Sequence, residues 1–306
     1  MTRGLFRHEH PIIFGLIVLG AMAMVFWAGV ALFVLRLMRP EAKDLFNQSQ
    51  GIGVVELKGV IMSPEQTLKE LAEFREDKDI KAVVVRIDSP GGAVGAAQEI
   101  YQDIQRTAKV KPVVASMSSV AASGGYYAAL GANEIFANPG TLTGSIGVII
   151  QFANLEKLLD KVGYQPEVVK SGKNKDLGSF ARPMTPAEMA LMQDMVDNVH
   201  EQFIKAVADN RHLALAAVRP LADGRVFTGS QAQEVGLIDH LGNFTSAVDE
   251  AMRLAGLKGK RPHLVYPQEK NFSLLSLLGG DRAQSAINLL LPGPPTLMYQ
   301  WRPTAQ

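Results

Sequence analysis

The chain has 306 residues, 47% of them hydrophobic and 20% charged, with a net charge of +1 and no cysteine. That balance suits a folded body of one large or two modest domains, and it gives no electrostatic case for nucleic acid. The lack of cysteine excludes thiol catalysis, disulfides and cysteine-ligated metals together.

In chain order, the first feature is the run from Ile12 to Leu35, which carries no charge. As a helix it spans about 36 Å, enough for the hydrocarbon core of a bilayer with some tilt. A cleavable secretory signal has a shorter apolar core and ends in small residues. This run instead continues through Leu32-Phe33-Val34-Leu35 into Arg36. It reads as an uncleaved transmembrane helix over 12–35, between an N-terminus at 1–11 and a polar linker at 36–50. The flanking charges do not orient it: Arg3 and Arg7 precede it, while Arg36, Arg39 and Lys43 follow it.

Ile52 to Ile61 reads as a strand. Leu68, Leu71 and Phe74 repeat at helical spacing and predict a helix over 65–75. Residues 81–88, KAVVVRID, form a nearly continuous apolar run, the pattern of a strand buried on both faces. It ends in Ser89-Pro90-Gly91-Gly92, followed by a helix over 96–107 and a strand from Val113. Strands and helices alternating at this spacing predict an α/β fold of repeated βαβ units with a mostly parallel sheet.

The strand from Val113 runs into Ala121-Ala122-Ser123-Gly124-Gly125 and then a helical pattern over 126–130. Strand, small-residue turn, serine and helix is one way to present a serine hydroxyl at a helix N-terminus. A backbone N–H there, with the helix dipole behind it, favours a developing oxyanion. Ser123 is thus a candidate nucleophile; the alternative is an ordinary N-cap serine. The Ser89-Pro90-Gly91-Gly92 turn lies at another strand's carboxyl end, where open α/β sheets place their ligands. Its glycines could supply the second N–H of an oxyanion hole, or simply make a turn.

Further on, a helix is expected over 154–162, a strand over 166–170 and a polar loop over 171–176. Thr185-Pro186-Ala187-Glu188 is a capping box that opens a long helix to about residue 210. Met189, Met192, Val196, Val199, Phe203 and Val207 make its apolar stripe, read as core or subunit packing, with His200 at the border in a structural role. Short helices are expected around Gly224-Arg225-Val226-Phe227-Thr228-Gly229, a helix over 244–255 and a strand over 263–266. Residues 292–306 hold several prolines and read as an extended arm.

A serine nucleophile needs a proton acceptor. His8 and His10 precede the apolar run, and nothing around His200, His212, His240 or His263 recommends them, although triads do assemble from distant positions. A lysine can serve where apolar surroundings disfavour its charged form. Lys175 lies in the polar loop after a predicted strand; the alternative for it is a solvated surface residue.

Three segments together carry a resemblance: KAVVVRIDSPGG, VASMSSVAASGGYYAALGANEIFANPGTLTGSIGV and KSGKNKDLGS. They resemble the bacterial signal peptide peptidase A family of membrane-anchored serine proteases, in its short single-domain form, and the 224–229 motif fits as well. The resemblance implies a ClpP/crotonase-like peptidase domain over 51–257, with 258–306 as a C-terminal extension. It implies a Ser–Lys dyad of Ser123 and Lys175, with Lys173 the lesser candidate for the base. It also implies Ser145 as the residue positioning the base, and Gly92 and Gly124 as oxyanion donors. No cofactor or metal is implied. The expected partners are peptides such as signal-peptide remnants, the membrane, and other copies of the chain in a cyclic homo-oligomer. The expected place is the bacterial inner membrane, single-pass, with the catalytic domain periplasmic or extracytoplasmic. Related readings are a protease of stomatin-type membrane proteins, a crotonase-like acyl-CoA enzyme, and an inactive scaffold.

Overall fold

The computed structural model describes residues 11–38, 50–258, 263–267 and 298–300. The chain divides into two compact units, 1–49 and 50–306. In the first, Pro11–Met38 is one helix of 28 residues, with side chains described at 12 and 18–33. Among the described residues no helix is long and apolar enough to cross a membrane. Residues 1–10 of the expected N-terminus and 39–49 of the expected linker lie outside the described residues.

The second unit is built on a sheet. Its strands are β1 (Gly51–Lys58), β2 (Ile80–Ser89), β3 (Gly91–Ala93), β4 (Val113–Ala122), β5 (Glu134–Ala137), β6 (Leu142–Gly144), β7 (Val226–Thr228), β8 (His240–Leu241), β9 (His263–Val265) and β10 (Met298–Gln300). The main sheet runs β7-β6-β4-β2-β1-β9, with β5 also on β4 and β8 on β5. Its pairs are parallel except β6–β7. β10 and β3 make a separate antiparallel pair.

The apolar run of β2 explains the layering. Val83, Val85 and Ile87 pack into one core with the helices Glu65–Glu76, Val94–Ala108, Gly124–Ala129 and Pro186–Arg211. Ala82 and Val84 point the other way, onto the helix Phe244–Leu254. Alternate side chains of one strand thus feed two cores, as the continuous hydrophobic pattern requires. The carboxyl ends of β2 and β4 carry the two glycine-rich segments picked out from the sequence, and that of β6 leads into Ser145.

Three expectations need correction. The first strand stops at Lys58, because Gly59 turns at φ +69°. Residues 164–170 have no regular structure, so the strand expected at 166–170 does not form. A strand needs a partner for its backbone groups, and among the described residues no strand pairs with this segment; Val168 and Val169 face solvent, Val169 at 103% exposure. The expected arm at 292–306 includes β10, which is paired and holds the fully buried Tyr299. The described parts of 258–306 thus join the body of the unit, β9 on β1 and β10 on β3. Residues 268–297 lie outside the described residues.

Candidate active site

Ser123 follows β4 directly and is the N-cap of the Gly124–Ala129 helix, at φ 54° and ψ −116°. Non-glycine residues avoid positive φ, and such strain costs on the order of 1–3 kcal/mol. The backbone around it is held from both sides. Its N–H donates to the Gly144 carbonyl at 2.8 Å, and its carbonyl accepts from Tyr127 N–H at 2.8 Å. The hydroxyl does not cap the helix, which removes the ordinary N-cap reading. Ser123 is 1% exposed.

The small residues beside it are sterically required. A Cβ on Gly92 would stand 2.0 Å from the Ile61 carbonyl oxygen, and one on Gly125 2.9 Å from that of Ser89. Ser89, whose role the sequence reading missed, ties the turn together. Its buried hydroxyl donates to the Gly59 carbonyl at 2.6 Å and accepts from Gly91 N–H at 3.1 Å. A Cβ on Gly124 would lie 3.1 Å from the Gly92 nitrogen. The two amide nitrogens expected to form an oxyanion hole therefore flank one spot.

Ser145 stands next to Ser123, because β4 and β6 are parallel neighbours with Ala122 opposite Gly144. It is also at positive φ, 49°, and buried at 6% exposure. Its N–H donates to the Arg225 carbonyl at 2.8 Å, and the Ile146 carbonyl accepts from Gly224 N–H at 3.1 Å. This is what the 224–229 motif does: it pairs β7 with β6 and brackets Ser145. A cleft of about 510 Å³ opens here, lined in part by Ser145, Asp197, His200, Asp223 and Gln300. The buried Nε2 of His200 has no hydrogen-bond partner among the described residues.

Lys175 is elsewhere. It is exposed in a turn, as is Lys173, and its N–H donates to the Gly172 carbonyl at 3.1 Å. No hydrogen bond among the described residues links it to Ser123. Ser123, Ser145, Gly92 and Gly124 are brought together, and Lys175 is not.

The loop that carries Lys175 is nonetheless fastened. Asp176 is paired with Lys170 and, at 3.0 Å, with Arg182. Arg182 also grips Glu188 with two bonds, of 2.8 and 2.6 Å. Glu188 closes the predicted capping box, accepting from Thr185 N–H at 2.9 Å while its own N–H donates to the Thr185 hydroxyl at 3.2 Å. Arg182, with the Thr185 N–H second, holds the Glu188 carboxyl down at about 2. Lys170 and then Arg182 hold Asp176 below the usual carboxylate range.

Against the glycine-lined spot lies an aromatic pocket that sequence reasoning also missed. Tyr127 makes edge contacts with Tyr101 at 5.1 Å and Phe203 at 4.9 Å between ring centres. Burial, with Tyr101 adding to it, pushes the Tyr127 hydroxyl up to about 12.

The model of peptidase family S49 matches residues 105–258. A Synechocystis protein carrying a provisional protease name is 44% identical over 232 residues, covering 75% of this chain and 83% of its own length. The chloroplastic serine protease SPPA of Arabidopsis thaliana is 37% identical over 238 residues, 75% of this chain and 35% of its own. Protease 4 of Salmonella typhi is 36% identical over 259 residues, 79% of this chain and 41% of its own. The chain thus spans most of the first relative and less than half of the other two.

Proposed function

Because this chain belongs to peptidase family S49, the signal peptide peptidase A family, and is a serine-type peptidase, we propose that Ser123 is its nucleophile and Lys175 its general base. The observation that carries this is the strained, buried Ser123 beside the converging Gly92 and Gly124 nitrogens. The neutral Lys175 amine takes the Ser123 proton, and Oγ attacks the peptide carbonyl. The Gly92 and Gly124 N–H groups receive the oxyanion. The leaving amine takes the proton, and water then hydrolyses the acyl-enzyme. Ser145 holds the base in line. In this reading the unit is a ClpP/crotonase-like peptidase domain.

Lys175 must reach a Ser123, and in this reading it reaches the one in a neighbouring copy. Leu158, Val162, Val169, Phe180, Met189 and Met195, which flank that loop in sequence, are all exposed. Exposed apolar side chains in such numbers favour an interaction surface, and among the described residues no strand pairs with 164–170. The assembly is a closed ring, because repeated head-to-tail contacts end only by closing.

The charge-free run at 12–35 is the proposed single-pass anchor in the bacterial inner membrane, with the catalytic domain periplasmic. The substrates are then membrane-proximal peptides, signal-peptide remnants among them. The test is to treat the purified chain with a fluorophosphonate and locate the adduct by mass spectrometry. The adduct is expected on Ser123. An adduct on another residue, or coenzyme A binding with no adduct, ends the proposal.

A further inference from the structure

β10 marks the side of Ser123 on which the cleft beside Ser145 lies. Met298 exchanges two hydrogen bonds with Ile149, of 3.1 and 3.0 Å, and β10 runs antiparallel to β3, with Tyr299 opposite Gly92. A Cβ on Gly91 would stand 2.0 Å from the Tyr299 carbonyl oxygen and 2.6 Å from the Gly124 nitrogen. That carbonyl is thus at the glycine-lined spot, with the Tyr299 ring on Tyr127 at 5.1 Å and on Phe203 at 4.7 Å. The next residue, Gln300, lines the cleft. Backbone running past the oxyanion donors in this direction brings its following residue to the cleft, which is therefore on the leaving-group side of the bond to be cut.

One face of the Pro186–Arg211 helix makes a wall of this cleft: Gln193, Val196, Asp197 and His200 recur at helical spacing and all line it. The 222–224 turn adds Asp223. Among the described residues that line it there is no lysine or arginine. Asp223 is neutralised from outside the lining by Arg225, whose guanidinium donates to it at 2.8, 2.9 and 2.5 Å. Asp197 has no such partner: among the described residues it joins no ion pair, and it accepts from the Gln193 amide at 2.7 Å. One amide leaves further lone pairs on a carboxylate to be used. One helical turn on, the buried Nε2 of His200 has no partner among the described residues. Such an atom is costly to bury until something bonds to it. A neutral imidazole offers one nitrogen as an acceptor. The cleft therefore presents an uncompensated negative charge beside an unused acceptor. Its complement is a positively charged group that only donates, an ammonium or a guanidinium.

We propose that this cleft selects peptide substrates with lysine or arginine directly after the cut, held by Asp197 and His200. The proposal rests on the reading of Ser123 as nucleophile. Val148 and Val196, which also line the cleft, suit the alkyl stem of such a residue, while its head reaches the carboxylate and the imidazole. An aspartate or glutamate in the same place would face Asp197 with like charge and find no cation in the lining. Asp197 is exposed, so water screens the attraction and the selection is moderate, about fivefold.

The experiment uses the full chain in detergent to digest synthetic peptides of randomised sequence, with the cut sites read by mass spectrometry. Lysine and arginine are expected directly after the cut about fivefold more often than their share of the library, and aspartate and glutamate less often than theirs. Asp197→Asn should remove most of this enrichment, and Asp197→Lys should reverse it in favour of aspartate and glutamate. His200→Ala should lower it to about twofold or less, while His200→Gln, which keeps an acceptor, should retain more of it. A structural role for either residue would change the amount of cutting and not the residue after the cut. Cut sites indifferent to the following residue, or an enrichment that all four variants leave unchanged, overturn the cleft proposal. So does a chain that takes a fluorophosphonate on Ser123 and cuts no peptide. In each of these cases a labelled Ser123 leaves the peptidase reading standing. If Ser123 takes no label and nothing is cut, both readings fall together.

Discussion

The surroundings of Ser123 and of Lys175 are built by different forces. Ser123 sits at the end of a strand with sheet neighbours on both sides, over a core of buried side chains. Its position follows from register, steric fit and apolar burial, which a single chain supplies. The Lys175 loop has no sheet pairing and little apolar cover, and charge pairs fasten it to the start of the Pro186–Arg211 helix. One half of the proposed site is finished by the fold. The other is held in readiness by part-buried ion pairs around Arg182.

The largest expected effect tests whether both halves are needed. Ser123→Ala and Lys175→Ala should each lower kcat by about 10⁴-fold or more, with the melting temperature unchanged within experimental error. Lys173→Ala should lose far less. If Lys173→Ala is the inactive variant instead, the base is misassigned by two positions.

Next is Gly91→Ala, which attacks the finished half alone. The added methyl would crowd the Tyr299 carbonyl oxygen and the Gly124 nitrogen at a backbone φ of +95°. A loss of about 10²–10³-fold in kcat is expected, as for removal of an oxyanion donor. Proteolysis of the 170–185 loop should be unaltered.

Arg182→Ala attacks the other half alone. It should cost about tenfold in kcat through misplacement of Lys175, hasten tryptic cleavage after Lys170, Lys173 and Lys175, and barely move the melting temperature. Arg182→Lys should not restore protection, because one ammonium cannot hold two carboxylates with a planar fork. Unchanged trypsin sensitivity in Arg182→Ala would show that the clamp does not order the loop.

The smallest effect is on pH. Asp176 and Glu188 are both held below their ordinary range by cationic partners. A depressed carboxyl contributes its stability above the unfolded value and loses it as pH falls toward the folded one. Loop protection should therefore be constant from neutral pH to about 5 and decline below about 4. Protection lost already between pH 7 and 5 would point to a different clamp.

The sequence made the finished half legible because local pattern determines it. An apolar run like that of β2, β-branched and bounded by a Pro-Gly-Gly turn, matches a doubly buried strand, and Ser89-Pro90-Gly91-Gly92 and Ala121-Ala122-Ser123-Gly124-Gly125 announce tight strand ends. The capping box at Thr185 and Glu188 was legible for the same reason. The grip of Arg182 on Asp176 and Glu188 was not, since several charges in 170–188 could have paired. β10 was hidden for another reason. Its fit depends on Ile149, Gly92, Tyr127 and Phe203, which are scattered through the chain and meet only when it folds. The strand expected at 166–170 failed because β propensity supplies no partner.

In the proposed assembly one chain completes the acyl-binding half of the site and a neighbouring copy supplies the lysine. The direct measurement mixes two inactive chains, Ser123→Ala and Lys175→Ala, allows subunits to exchange, and assays peptide hydrolysis across the mixing ratio. Partial activity peaking near equal proportions is expected, because some sites then join an intact Ser123 to an intact Lys175 from the next copy. No activity at any ratio, with subunit exchange verified, or a fully active monomer by light scattering, would contradict it.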